Sequence, residues 1–287
     1  MLRRLLLALA FLSATPAFAR PALWKLADAD TTIWLFGTIH VLPEGHRWRD
    51  PALDRAVSGS ETLLLEAVLD QNPAEVGRLL MTMGRDERLP KLVDRVPAAK
   101  RARLGALVKA SGFQPDMLDG MKSWAAAFVL TGAALRDMGD EVSAGAGIEP
   151  QLTRQFRGAG KPVQGLETAA QQLGYFDALP DAAQRAFLVA TLDDPAKTRT
   201  DFRDLVAAWT SGDAKAIERA FSDDPEFTPA LRDLLIRRRD QAWADALAKR
   251  LQQPGTVFMA VGAGHLVGPD SVQHMLAARG LKAVRVQ

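Results

Sequence analysis

Thr256 to Gly268 reads TVFMAVGAGHLVG. Its first half, Thr256 to Val261, is an apolar run that ends in a glycine turn and then one histidine, His265. A run of this length bounded by glycine predicts a strand covered on both faces. Gly262 and Gly264 let the chain bend where a side chain would clash. The same pattern occurs near the N-terminus, where Thr31 to His40 reads TTIWLFGTIH. Each run therefore leads into a G-x-x-H motif, Gly37 to His40 and Gly262 to His265. In open α/β sheets, ligand sites lie beyond the carboxyl ends of the strands. Two strands delivering two histidines there predict a shared site.

The chain has 287 residues, and its start reads as a leader. Arg3 and Arg4 form a basic n-region, Leu5 to Leu12 an apolar stretch, and Ala17-Phe18-Ala19 an A-x-A cleavage signal. The expected division is a signal peptide over 1–19 and one α/β domain over 20–287, with cleavage before Arg20. The expected destination is the periplasm or the exterior of a bacterium. The leader's apolar core is too short to span a bilayer, and no later segment is long and apolar enough. There is no cysteine, which excludes disulfides and leaves stability to the core. The leader removes two of 36 basic side chains and none of 34 acidic ones, leaving a formal charge of zero. No basic stripe with interleaved aromatics is present, so nucleic acid is not an expected partner. The Lys100–Arg103 and Arg237–Arg239 clusters read by default as solvated helix faces.

Further strands are expected at Pro21 to Leu26 (an edge strand), Thr32 to Phe36, Thr62 to Leu65, Lys161 to Leu166 and Lys282 to Val286. Asp50-Pro51 predicts an N-cap followed by proline at the first helical position, with a helix to about Gly59. Asn72-Pro73-Ala74-Glu75 is another helix start. Helical pattern runs from Pro73 to Phe156, with turns at Gly112 to Pro115 and Gly139 to Gly147. Thr168 caps a helix that carries Gln172 and Tyr175. Helices continue from Pro180 to about Arg250, with breaks near Asp194, Ser211 and Asp223 to Glu226, and a last one spans Pro269 to Arg279. Strands at both ends with long helical stretches between them predict an α/β fold: a central mixed sheet with large helical insertions in a single domain.

Four strands end in a group able to bind metal or move a proton: His40, Glu66, Glu167 and His265. Two imidazoles and two carboxylates suit Zn, Mn, Co or Fe. The same set could supply a general base and its orienting acid. Neither H-E-x-x-H nor G-x-S-x-G is present. Each residue also has a plain structural reading: a histidine bonded to backbone, or a glutamate beside a helix start. His46 and His274 read as surface histidines. Leu231, Leu235, Arg239, Trp243 and Leu247 step by four along one helix face, so Arg239 interrupts an apolar stripe. Either it snorkels at the edge, or it is a buried guanidinium aimed at Glu66, Glu167 or a substrate oxygen.

Several segments together resemble the TraB/GumN family, which is related to the Tiki proteins. They are LWK at Leu23 to Lys25, FGTIHVLP at Phe36 to Pro43, LLLE at Leu63 to Glu66 and GIE at Gly147 to Glu149. GKPVQGLET at Gly160 to Thr168, Gln172-Leu173, the Arg239/Trp243 pair and VGAGHLVGPD at Val261 to Asp270 complete the set. The resemblance implies a fold shared with erythromycin-esterase-like and heme-binding iron-uptake proteins. It also implies a site made of the two G-x-x-H histidines and the strand-end glutamates, and metal-dependent proteolysis with Mn or Co. Two positions depart from the family pattern: Arg239-Asp240, where the family often has Arg-Asn, and Ser123-Trp124, where it often has Pro-Trp.

The first expectation is therefore an exported metal-dependent hydrolase, a peptidase acting on a peptide or another small-molecule substrate. His40, Glu66, Glu167 and His265 would hold one divalent ion, Mn, Co or Zn. Glu167 alternatively serves as the base for metal-bound water, and Arg239 binds an anionic substrate group or the oxyanion. The alternatives are a metal-free esterase-like hydrolase with His40 or His265 as base, and a non-catalytic binding protein for heme or a peptide signal.

Overall fold

The structure is a computed structural model that describes residues 20–69, 73–137, 147–223 and 227–287. The leader with its cleavage site, the Asn72 helix start, most of the Gly139 to Gly147 turn and part of the Asp223 to Glu226 break lie outside the described residues. Among the described residues, six strands form one sheet: β1 Leu23–Ala27, β2 Thr31–Thr38, β3 Thr62–Ala67, β4 Val163–Glu167, β5 Gly255–Gly262 and β6 Val284–Arg285. Their order across the sheet is β4-β3-β5-β2-β1-β6.

β5 is the hinge of this order. It pairs in parallel with β2, Thr31 opposite Gly255 through Thr38 opposite Gly262, and with β3, Thr62 opposite Val257. β3 pairs in parallel with β4. All four carboxyl ends therefore point the same way, as the two G-x-x-H motifs require. Val257 to Val261 are fully buried, as is expected of a strand covered on both faces. On one face Phe258 packs on Phe36 and shares a core with Leu63, Trp48 and Trp209. On the other, Val257, Met259 and Val261 meet Ile33, Leu35, Trp243 and Leu247. The period-two alternation of strand side chains sorts these residues into two cores.

The antiparallel part of the sheet corrects one expectation. β1 is not an edge strand, because β6 pairs on its outer side, Trp24 opposite Arg285. A two-residue strand carries too little pattern to be weighed as an edge. The expected strand from Lys282 to Val286 is correspondingly shorter.

Helices fill the connections: α1 Pro51–Gly59, α2 Pro73–Met83, α3 Arg101–Ser111, α4 Pro115–Asp119, α5 Ser123–Asp137 and α6 Ile148–Gly158. Then come α7 Ala169–Asp177, α8 Asp181–Ala190, α9 Pro195–Ser211, α10 Ala214–Ser222, α11 Pro229–Arg232, α12 Arg238–Arg250 and α13 Val272–Ala277. Asp50 caps α1 by accepting from the Leu53 N–H at 2.8 Å, with Pro51 opening the helix. Helices α3, α5 and α8 enclose a third core around Trp124, Leu107 and Leu188, which makes the middle of the chain a helical insertion with its own apolar centre. The helix expected to carry the stripe from Leu231 to Leu247 contains a π-helical segment, Asp233–Arg237, between α11 and α12. The final helix is shorter than expected because Gly268 turns the chain with a positive φ of 77°, and α13 begins only at Val272. Among the described residues, no helix is long and apolar enough to cross a membrane.

Candidate active site

The four parallel strands deliver their terminal residues to one place. Glu66 lies one residue before the end of β3, and Glu167 is the last residue of β4. His265 sits in a short 3₁₀ turn, Ala263–Leu266, directly after β5. His40 follows β2 by two residues. Gly262 is where they meet. A Cβ placed on it would lie 3.1 Å from Glu66 Oε1, 3.4 Å from His40 Nε2 and 3.7 Å from the His265 ring. Glycine keeps that space open, and its own N–H donates to Glu66 Oε1 at 2.7 Å.

Arg239 occupies the position between the two glutamates. Nε donates to Glu167 Oε1 at 2.9 Å, and Nη2 donates to Glu167 Oε2 at 2.9 Å and Glu66 Oε2 at 2.6 Å. Nη1 donates to the Leu235 carbonyl at 3.2 Å and faces His265 Nε2 at 3.3 Å. A guanidinium has five N–H donors, and all five have partners here. The side chain is buried, with the Trp243 ring 4.7 Å and the Tyr175 ring 5.7 Å from its charged carbon. Arg239 therefore organises the carboxylates. The Leu235 carbonyl belongs to the π-helical segment, so this local widening of the helix fixes the side chain from behind.

Each histidine has its own carboxylate. His265 is buried, and its Nδ1 lies 2.6 Å from Asp240 Oδ1. Asp240 occupies the Nδ1 side of the ring, so Nε2 faces the site, 3.7 Å from Glu66 Oε1. The Trp243 ring packs on the imidazole at 4.4 Å. His40 Nδ1 lies 2.7 Å from Glu149 Oε1, and the Thr38 hydroxyl donates to the same oxygen. With 67% of its side chain accessible, His40 stands at the mouth of the site.

The charges follow from these contacts. Burial alone would raise the Glu66 carboxyl; the positive charge of His265, Arg239 and His40 and the Gly262 N–H hold it down to about 2. Desolvation by surrounding protein lowers the proton affinity of His40, but the bond and charge of Glu149 and the charge of Glu66 outweigh it and raise its pKa to about 9. Glu149 is lowered: desolvation opposes this, and the His40 partner overrides it. Asp240 is pushed up to about 6 by burial, against the pull of His265 and Arg239. Its Oδ2 is buried and has no hydrogen-bond partner among the described residues.

The expected metal centre is not assembled in this arrangement. His40, Glu66, Glu167 and His265 do converge, yet among the described residues no three His, Asp or Glu side chains are placed to hold a metal ion. The physical reason is Arg239. Both Glu167 oxygens accept from the guanidinium, and Oε1 also accepts from Trp243 Nε1 at 2.9 Å. Glu66 Oε2 is taken by Arg239 and by Gln172 Nε2 at 3.3 Å. A divalent ion among these groups would face a fixed positive charge. The donor set therefore fits an ion-paired polar cluster and does not fit a cation site.

Glu149 and Asp240 carry no signal at the end of an apolar run. Glu149 opens α6 far from any strand, in the G-I-E segment, and Asp240 follows Arg239 off the apolar stripe. His46 lies against Thr210, 3.0 Å from its hydroxyl.

The whole described domain can be compared with known sequences. Residues 22–285 match the TraB/PrgY/gumN family. The chain belongs to the TraB/PrgY/gumN family. Two relatives are the uncharacterized protein YbaP of Escherichia coli (strain K12) and that of Shigella flexneri. Each is 25% identical over 242 residues, covering 84% of this chain and 86% of the relative. No solved structure matches the chain. In this TraB/PrgY/gumN member the site residues all lie within the matched span, and Asp240 is the carboxylate on His265.

Proposed function

We propose that the protein is an acyl hydrolase, acting on an ester or amide bond through two carboxylate-anchored histidines without a metal ion. One observation carries this reading: His265 and His40 flank Glu66 around the open space at Gly262, while a guanidinium fills the position between the glutamates. A water bound at Glu66 Oε1, which lies 3.7 Å from His265 Nε2, takes the place of the Arg239 Nη1 contact on the Nε2 lone pair of the neutral ring. His265 takes its proton as the oxygen attacks the acyl carbon, and Asp240 stabilises the imidazolium that forms. His40 gives its Nε2 proton to the leaving oxygen or nitrogen as the acyl bond breaks. His265 then releases a proton to solvent and His40 takes one up, so the cycle closes. Arg239 keeps Glu66 ionised and holds both glutamates in place.

The test is hydrolysis of p-nitrophenyl esters and a fluorogenic peptide library by chelator-stripped protein. Turnover should persist without metal and fall by about 10²–10⁴ in His265→Ala and His40→Ala. Strict dependence on added Mn, Co or Zn would return the site to the metal-dependent reading. Absence of turnover together with heme or peptide binding would favour a binding protein.

A further inference from the structure

Acyl transfer builds negative charge on the carbonyl oxygen, and a site that catalyses it needs a donor placed for that charge. The obvious donors are already engaged. Arg239 has all five N–H groups bonded. Trp243 donates to Glu167, Gly262 to Glu66, and Thr38 to Glu149. His40 serves the leaving group. What remains is the helix α7, which begins two residues beyond Glu167. Its start is fixed by a capping box in which Thr168 Oγ1 accepts from the Gln171 N–H and the Gln171 side chain accepts from the Thr168 N–H. Residues three apart share a helix face. Gln172 and Tyr175 stand in that relation, and both meet the site, Gln172 at Glu66 and Tyr175 with its ring over Arg239.

Tyr175 is half-buried, and its hydroxyl makes no hydrogen bond among the described residues, yet it is not one of the sealed polar atoms. A phenol of this kind has an anchored ring and an open O–H. We propose that Tyr175 is a catalytic residue, donating its hydroxyl hydrogen to the carbonyl oxygen of the substrate as that oxygen becomes an oxyanion. This rests on the acyl-hydrolase reading. Burial and the nearby charge of Glu167 raise the phenol's pKa, so the proton is present at neutral pH. No proton leaves Tyr175 in the cycle; the hydrogen bond strengthens as charge develops and relaxes when the carbonyl re-forms.

The substitution Tyr175→Phe keeps the ring over Arg239 and removes only the donor. With p-nitrophenyl acetate as probe, kcat should fall by about 10²–10³, with KM within about twofold and an unchanged thermal midpoint. A second measurement does not depend on the variant folding. The chain has a single tyrosine, so growth on 3-fluorotyrosine changes this position alone and supplies a more acidic donor of nearly the same shape. Its kcat should rise while KM holds. If His265→Ala is inactive but Tyr175→Phe and the fluorinated protein match wild type in kcat, the Tyr175 role is wrong and the hydrolase reading stands. A change confined to KM overturns the role as well. Wild-type protein that hydrolyses no ester or peptide removes both.

Discussion

Replacing Arg239 with methionine keeps most of the apolar stem and deletes the charge that Glu66 and Glu167 share. Both carboxylates are then left largely buried without their main cationic partner, a change that costs about 3–5 kcal/mol in comparable buried pairs. The Glu66 shift gives an independent scale. Its pKa falls from 4.5 to about 2, and that difference is worth about 3 kcal/mol. Arg239 supplies part of it, beside the two histidines. The sign is fixed because the folded value lies below the unfolded one. The stabilisation is complete above pH 4.5 and is lost as pH falls towards 2. In Arg239→Met the Glu66 pKa rises, so the glutamate takes up a proton on folding at mildly acidic pH and the repulsion is relieved. Urea denaturation at pH 7.5, 5 and 3.5 should show wild type ahead by several kcal/mol at pH 7.5, with the gap narrowing steadily on acidification. A gap under about 1 kcal/mol at pH 7.5, the scale of an exposed ion pair, or one that does not change with pH, would refute the central role given to the guanidinium.

Gly262→Ala places a methyl group 3.1 Å from Glu66 Oε1 and 3.4 Å from His40 Nε2, so it should abolish turnover with a smaller effect on the thermal midpoint, as kinetics beside calorimetry would show. Asp240→Asn retains the shape but exchanges a carboxylate for an amide opposite His265 Nδ1; kcat should drop by at least tenfold with KM little changed, and restoration by Asp240→Glu would test the need for charge. His46→Ala, which loses contacts to Thr210 and the Trp209 ring away from the site, should leave kcat within about twofold. N-terminal sequencing of protein from the native host should find Arg20 as the first residue; intact Met1 in a soluble cytoplasmic fraction would contradict export.

The sequence by itself determined the strands that carry the site and the caps that start its helices. An apolar run flanked by glycine can be buried on both faces only in the middle of such a sheet, so TVFMAVG and TTIWLFG had to be neighbours of the core. Asp50 and Thr168 announce helix starts because their side chains satisfy nearby backbone N–H groups. Strand-end His40, Glu66, Glu167 and His265 follow from the same local patterns. The place of β1 inside the sheet depends on two residues at the far end of the chain, where pattern is too short to read. The partners of the histidines, Glu149 and Asp240, come from helices 109 and 25 residues away, and no local periodicity marks them. Above all, only the tertiary structure decided what Arg239 does. Its stripe position showed that it could be buried, but whether it faced solvent, a substrate or the glutamates depended on packing. The parallel ends of β3 and β4 bring Glu66 and Glu167 together, and two carboxylates so placed in a buried site require a cation between them.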